Sequence, residues 1–193
     1  MIRRLCDIML AALLLIVCLP ALLVIAAAVV LDSRGGVWYR SPRVGLAGRE
    51  FSMVKFRTML RDGDVRLDER QREELRTTFK LTRDPRITPV GGWLRRYSLD
   101  ELPQLFNVLS GDMALVGPRP KLPEEIDLYG DQKAALLSVR PGMTGLWQVS
   151  RTSGQSDAFM RETDLRYVRS RSLHGDFGIL ARTIAVVLKG GNG

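Results

Sequence analysis

At 193 residues the chain is long enough for one hydrophobic core and short for two, and no internal repeat runs along it. Lysine and arginine outnumber aspartate and glutamate 29 to 21, a net charge of +8 that favours anionic partners such as phosphates, anionic lipid headgroups or nucleic acid. The only cysteines, Cys6 and Cys18, fall in or beside an apolar N-terminal segment and His174 is the sole histidine, which counts against Ser-His-Asp and Cys-His nucleophiles and against Cys/His zinc sites.

Catalysis is then expected to rest on carboxylates, cationic side chains or a hard metal ion. Twelve residues of helix would hold the two cysteines ~18 Å apart, whereas a disulfide needs Cα atoms within about 7 Å, so none is expected. A soluble part without cysteine fits a reducing, cytosolic face.

From Ile8 to Leu31 there is no charged residue. Such a run, as a straight helix, reaches ~36 Å and can cross a ~30 Å hydrocarbon core. It is too long for the apolar part of a cleaved signal peptide, although Arg3 and Arg4 resemble a basic leader. Pro20 lies at its middle, where it removes a helix hydrogen bond and clashes with the preceding turn at ~3 kcal/mol. Basic residues flank both ends: Arg3 and Arg4 before, Arg34, Arg40 and Arg43 after. The positive-inside rule therefore gives no direction for a crossing. A bent helix that enters and leaves by one face satisfies both flanks, and a kinked spanning helix remains open beside it.

Asp32 to Gly36 reads as a turn, and Val37 to Arg40 and Phe51 to Phe56 as two short strands around a Gly45 to Gly48 loop. Residues 62 to 80 alternate acids and bases, as in a solvated helix with no chemistry of its own. Leu99 to Leu109 carries Leu102, Leu105, Phe106 and Leu109 at helical spacing, with Gly111 to stop it. Gly111 to Pro123 reads as irregular. Gln132 to Val139 and Ala158 to Val168 read as short helices separated by the glycine-rich Pro141 to Gly154. His174 reads as a surface loop residue, and Phe177 to Leu188 as a helix of the core or of the membrane interface.

The residues able to carry chemistry centre on Ser98-Leu99-Asp100-Glu101-Leu102-Pro103. Ser98 and Glu101 have capping-box spacing, and acids in a first turn offset the helix dipole. Pro103 would fall in the second turn of a helix starting at Ser98, so the start is distorted or later. Two adjacent carboxylates at such a start can supply a nucleophile and an oxygen ligand for Mg2+. Arg95-Arg96, Gly117-Pro118-Arg119-Pro120 and Arg140-Pro141-Gly142-Met143-Thr144-Gly145 place arginines beside prolines and glycines, which suits fork-like binding of phosphate oxygens and close backbone approach. There is no Walker loop and no GxGxxG.

Together with Lys55-Phe56-Arg57-Thr58-Met59, Asp84-Pro85-Arg86-Ile87-Thr88, Leu146-Trp147-Gln148-Val149 and Asp164-Leu165-Arg166-Tyr167-Val168, these motifs resemble, in order and spacing, the monotopic phosphoglycosyl transferases of the bacterial sugar transferase family. The resemblance runs through nearly the whole chain. It implies transfer of a phosphosugar from a UDP-sugar to polyprenyl phosphate, with UMP released, as the first membrane step of a surface glycan. Asp100 matches the family's nucleophile, and Glu101, with Asp100, its Mg2+ site. Substrate contacts are implied for Lys55, Arg57, Arg95, Arg119, Pro120, Arg140, Gly142, Thr144 and Gln148, and a supporting carboxylate for Asp164.

The resemblance further implies an α+β fold, a mainly helical single catalytic domain over residues 35–193 with a small β element and interfacial helices. Residues 1–34 would form a re-entrant anchor broken at Pro20, and the minimal architecture of the family is expected. Many members carry serine before this proline; here Leu19 stands there, without a hydroxyl for the freed backbone groups. The expected place is the cytoplasmic face of a bacterial inner membrane, with membrane phospholipid as a further partner. Two other readings compete: a non-enzymatic membrane adaptor with a basic lipid-binding face, and a nucleic-acid binder, which has the charge but no recognised motif.

Overall fold

The computed structural model describes residues 2–60, 67–78, 81, 84–150 and 156–190. The apolar segment forms one long helix, α1 (Ile2–Asp32), which runs continuously through Pro20. It is long and apolar enough to cross a membrane, yet only 17% of its most apolar stretch is buried. One stripe packs inward. Ala11 joins Leu105, Val108 and Met113 in the main core, and Leu22, Ile25 and Val29 meet Phe56 and Leu94 in a second cluster. The opposite face leaves Ile16 73% and Val17 66% exposed, an apolar surface that water would not tolerate and a lipid phase would.

Both ends of α1 are fastened to the same domain. At its start Arg4 donates to the carbonyls of Val108 and Leu109 at 2.6 and 3.0 Å, and Asp7 accepts from the Leu115 amide at 3.1 Å. At its end Asp32 accepts from the Val90 amide, and the buried Arg57 donates to the carbonyls of Val29, Ser33 and Arg34. A cation on the last carbonyls of a helix satisfies orphan acceptors and opposes the negative end of the dipole. Arg57→Met should therefore lower stability by about 2–3 kcal/mol, read by thermal denaturation in detergent.

The two expected strands form a hairpin, β1 (Trp38–Val44) and β2 (Glu50–Phe56), antiparallel in the register Trp38↔Phe56 to Val44↔Glu50. Beyond it, α2 (Glu69–Thr78) carries part of the charged segment; residues 62–66, 79 and 80 lie outside the described residues. The helix α3 (Pro89–Arg96) starts on Thr88, whose hydroxyl accepts from the Gly91 amide, with Pro89 in the first turn where no amide is needed.

The single helix expected over Leu99 to Leu109 is divided. Leu99–Glu101 is a 3-10 turn, and α4 (Gln104–Ser110) begins after Pro103, where the missing amide costs nothing. The Ser98 capping box does not form: Ser98 is left-handed, with φ 54, and makes no side-chain cap bond. A non-glycine residue held in that region two residues before Asp100 marks a tightly determined turn.

The stretch read as irregular contains β3 (Ala114–Val116), paired in parallel with β4 (Gly142–Thr144) from the glycine-rich segment. Three residues are too few to show an alternation, so the pairing left no periodic signal. Close approach is the reason for the glycines. A Cβ on Gly142 would fall on the Gly117 nitrogen, and one on Gly145 on the Gly117 carbonyl. Gly142→Ala is expected to cost about 3 kcal/mol or more, measured by thermal melting, because two backbones rather than a flexible side chain would have to move.

The remaining helices close the fold: α5 (Pro123–Ile126), α6 (Lys133–Leu137), α7 (Leu146–Ser150), α8 (Asp157–Ser170) and α9 (Leu173–Leu188). His174 is exposed, in the first turn of α9 rather than in a loop, and both cysteines are free. The result is mainly helical with two small sheets.

Candidate active site

The acid pair faces a cleft of about 500 Å³ lined by Lys55, Arg95, Asp100, Glu101, Arg119, Pro120 and Gln148, all expected from the sequence, and by Arg43 and Tyr39, which were not. Strand β2 supplies Lys55, and a buried amide fixes β2 against α4: Asn107 accepts from the Val54 amide at 3.0 Å and donates to the Ser52 carbonyl at 2.9 Å. The side chain thus stands in for a neighbouring strand. It brings the 3-10 turn over Lys55, whose ammonium lies 2.6 Å from Glu101 Oε1. Arg95 is steered by Thr58, whose hydroxyl accepts from Arg95 Nε at 2.8 Å.

The two acids have different surroundings. Asp100 is 8% exposed, and burial pushes its carboxyl above the usual carboxylate range, with Glu101 reinforcing the shift and Lys55 and Arg95 opposing it. Glu101, with its side chain 37% exposed, is ion-paired. A desolvated carboxylate among cations is suited to attack an electrophilic phosphorus, while its exposed neighbour is suited to bind charge.

Arg119 is placed from beneath. Asp164 is 1% exposed and does not line the cleft; it pairs with Lys121 at 3.0 Å, accepts from the Tyr129 hydroxyl at 3.1 Å and from the Arg119 amide. Burial pushes the Lys121 ammonium down and the Asp164 carboxyl up, and their contact opposes both shifts. The Lys121 carbonyl accepts from the Val44 amide at 2.9 Å, which ties the Pro118 to Lys121 segment to the hairpin. Arg43, at the end of β1, has its pKa lowered by burial and by the neighbouring Arg119, and Glu125 at 3.6 Å opposes this. Two adjacent guanidiniums call for an anion between them. In the sequence Arg43 counted only as one of the basic residues flanking the apolar segment; only folding sets it beside Arg119.

Four further expected residues, besides Asp164, stand outside the cleft. Arg57 caps α1 and lines a neighbouring cavity. Arg140 donates through Nε to the Gly111 carbonyl at 2.8 Å and lines a third cavity. Gly142 and Thr144 form β4, where the Thr144 hydroxyl meets that of Thr183 at 2.7 Å. None of these four lines the cleft.

Among the described residues no three His, Cys, Asp or Glu side chains gather as a metal group. Two adjacent carboxylates fit Mg2+, which keeps several waters and takes its other ligands from substrate phosphates.

The chain matches the family described as bacterial sugar transferase over residues 1–190. It is 43% identical over 193 residues to the exopolysaccharide production protein ExoY of Rhizobium meliloti, covering 97% of this chain and 85% of that one. It is 40% identical over 195 residues to the UDP-glucose:undecaprenyl-phosphate glucose-1-phosphate transferase of Caulobacter vibrioides, covering 96% of this chain and 69% of the relative. Identity to the undecaprenyl-phosphate galactose phosphotransferase of Salmonella typhimurium is 41% over 194 residues, covering 97% of this chain but 40% of that longer protein. The chain is a transferase, and its long apolar helix suits one that associates with a membrane. The chain belongs to the bacterial sugar transferase family.

Proposed function

We propose that the protein moves a phosphosugar from a UDP-sugar to polyprenyl phosphate at the cytoplasmic face of a bacterial inner membrane. The observation that carries this reading is the buried Asp100 beside Lys55, Arg95 and Arg119 in a cleft large enough for a nucleotide sugar. A carboxylate oxygen of Asp100 attacks the phosphorus that bears the sugar, the bond from that phosphorus to the oxygen of UMP breaks, and UMP leaves. An oxygen of the lipid phosphate then attacks the same phosphorus, and the bond to Asp100 breaks to restore the carboxylate. Arg119 and Arg43 hold the diphosphate, and Lys55 orients Glu101. Asp100 and Glu101 would hold Mg2+, which when bound supplies positive charge to the departing phosphate.

The anchor reading rests on α1. Both its ends are tied to one domain while its middle exposes apolar side chains around Pro20. A bend at Pro20 within the continuous helix would reconcile these facts, since it immerses the middle and leaves the two ends on one face.

The test is UMP release from a panel of UDP-sugars, with polyprenyl phosphate and MgCl2 in detergent. One sugar should give sustained release only when lipid is present, and a burst of no more than one UMP per enzyme when it is absent. Release from none of them, with liposome binding indifferent to Asp100 and Glu101, would instead favour the membrane adaptor.

A further inference from the structure

The cavity lined by Arg140 has no lining residue in common with the catalytic cleft. Its volume is about 250 Å³, and it lies between the start of α1 and the start of α9. Its charged lining is Arg3, Arg4, Arg140 and Arg171 against Asp7 and Asp176. The acids are engaged: Asp7 by the Leu115 amide, Asp176 by the Tyr167 hydroxyl at 2.8 Å and by Arg3 at 3.8 Å. Arg4 directs both terminal nitrogens to the end of α4. Arg140 uses only Nε, so its terminal nitrogens, and the exposed Arg171, have no protein acceptor among the described residues.

The rest of the lining is apolar, from Leu10 on α1 and Phe177 and Leu180 on α9. It continues outward into exposed Leu5 and Met9 on α1, 59% and 64% accessible, and Phe177 at 60%. Four guanidiniums against two acids, with Arg140's terminal nitrogens and Arg171 lacking a hydrogen-bonded acceptor among the described residues, over an apolar floor at the start of the long apolar helix, have the chemistry of a lipid phosphate site. A free anion would have no use for the apolar continuation, and none of the residues around a phosphate here lines the cleft that holds Asp100.

We infer that this cavity binds the phosphate headgroup of an anionic phospholipid and so holds the first turns of α1 and α9 at the membrane surface. Full-length protein in detergent is titrated with dioleoylphosphatidylglycerol and, separately, with dioleoylphosphatidylcholine, and adducts are counted by native mass spectrometry. One phosphatidylglycerol should bind in preference to phosphatidylcholine. Arg171→Gln should weaken it about tenfold, as expected for one charge-assisted contact. Adding Arg140→Gln should erase the preference, and Arg182→Gln, an equal charge change at an exposed position of α9 outside the cavity, should leave it intact. Arg171 makes no side-chain hydrogen bond or ion pair among the described residues, so its variant keeps the test valid if the double variant misfolds. Equal weakening by Arg182→Gln would overturn the site, and displacement of the lipid by millimolar inorganic phosphate would overturn its assignment to a phospholipid.

Discussion

Replacing Asp100 by asparagine should abolish UMP release while making the protein harder to melt. The loss should be roughly 10⁴-fold or more, the scale on which enzymes lose turnover when a covalent nucleophile is removed. Asparagine keeps the shape and leaves Lys55, Glu101 and Arg119 in place, so the loss reports chemistry and not collapse of the cleft. The stability gain follows from linkage. Burial raises the Asp100 carboxyl in the folded state, so the folded chain holds that proton more tightly than the unfolded one. Stability therefore falls as pH rises from the ordinary carboxylate range through the raised folded value, and the penalty persists at neutral pH. Asparagine escapes it, for a gain on the order of 1 kcal/mol, about 2–4 °C for a domain of this size. The gain should fade as pH is lowered below the unfolded carboxyl's range. Melts in EDTA across pH separate this from any metal effect, and an Asp100→Asn that melts lower than wild type at neutral pH would contradict it.

The second large effect is expected at a residue that does not enter the cleft. Asp164→Asn should cost about 3–5 kcal/mol, because the buried Lys121 ammonium, 2% exposed, would be left without its counter-charge. Substituting both, Lys121→Met with Asp164→Leu, should recover most of that stability, since an apolar pair needs no desolvation of charge. Activity should not recover with it. The Arg119 amide would still lack its acceptor, so KM for the UDP-sugar should remain raised in the double variant. Thermal melting and UMP kinetics on wild type and the two variants check this, and a double variant with wild-type KM would show that Asp164 does not place Arg119.

Much of the cleft was legible because its parts lie in short contiguous motifs. Asp100 and Glu101 announce themselves by adjacency, and Lys55, Arg95, Arg119 and Gln148 each fall in a motif that folding brings to one surface. The hairpin was legible from two apolar runs around a glycine loop. Arg43 and Lys121 were not, since their meaning depends on Val44 bridging to the Lys121 backbone across nearly eighty residues of chain. Arg140 shows the converse. Its setting among proline and glycine resembles a phosphate loop, but those glycines serve the tight pairing of β3 with β4 and leave its guanidinium facing a different cavity. The parallel pair itself was invisible because three-residue strands carry no period. At Ser98 local spacing pointed to a cap, and the turn into Pro103 overrode it.

The central claim is that Asp100 carries the phosphosugar between donor and acceptor. Its most direct measurement is the mass of intact wild-type protein mixed with the turned-over UDP-sugar and Mg2+, without polyprenyl phosphate, and quenched rapidly. The account predicts an added hexose-phosphate-sized mass that maps to the peptide bearing Asp100, is absent in Asp100→Asn, and disappears when polyprenyl phosphate is added. Sustained UMP release with no adduct on that peptide, or an adduct that survives the lipid, would contradict it.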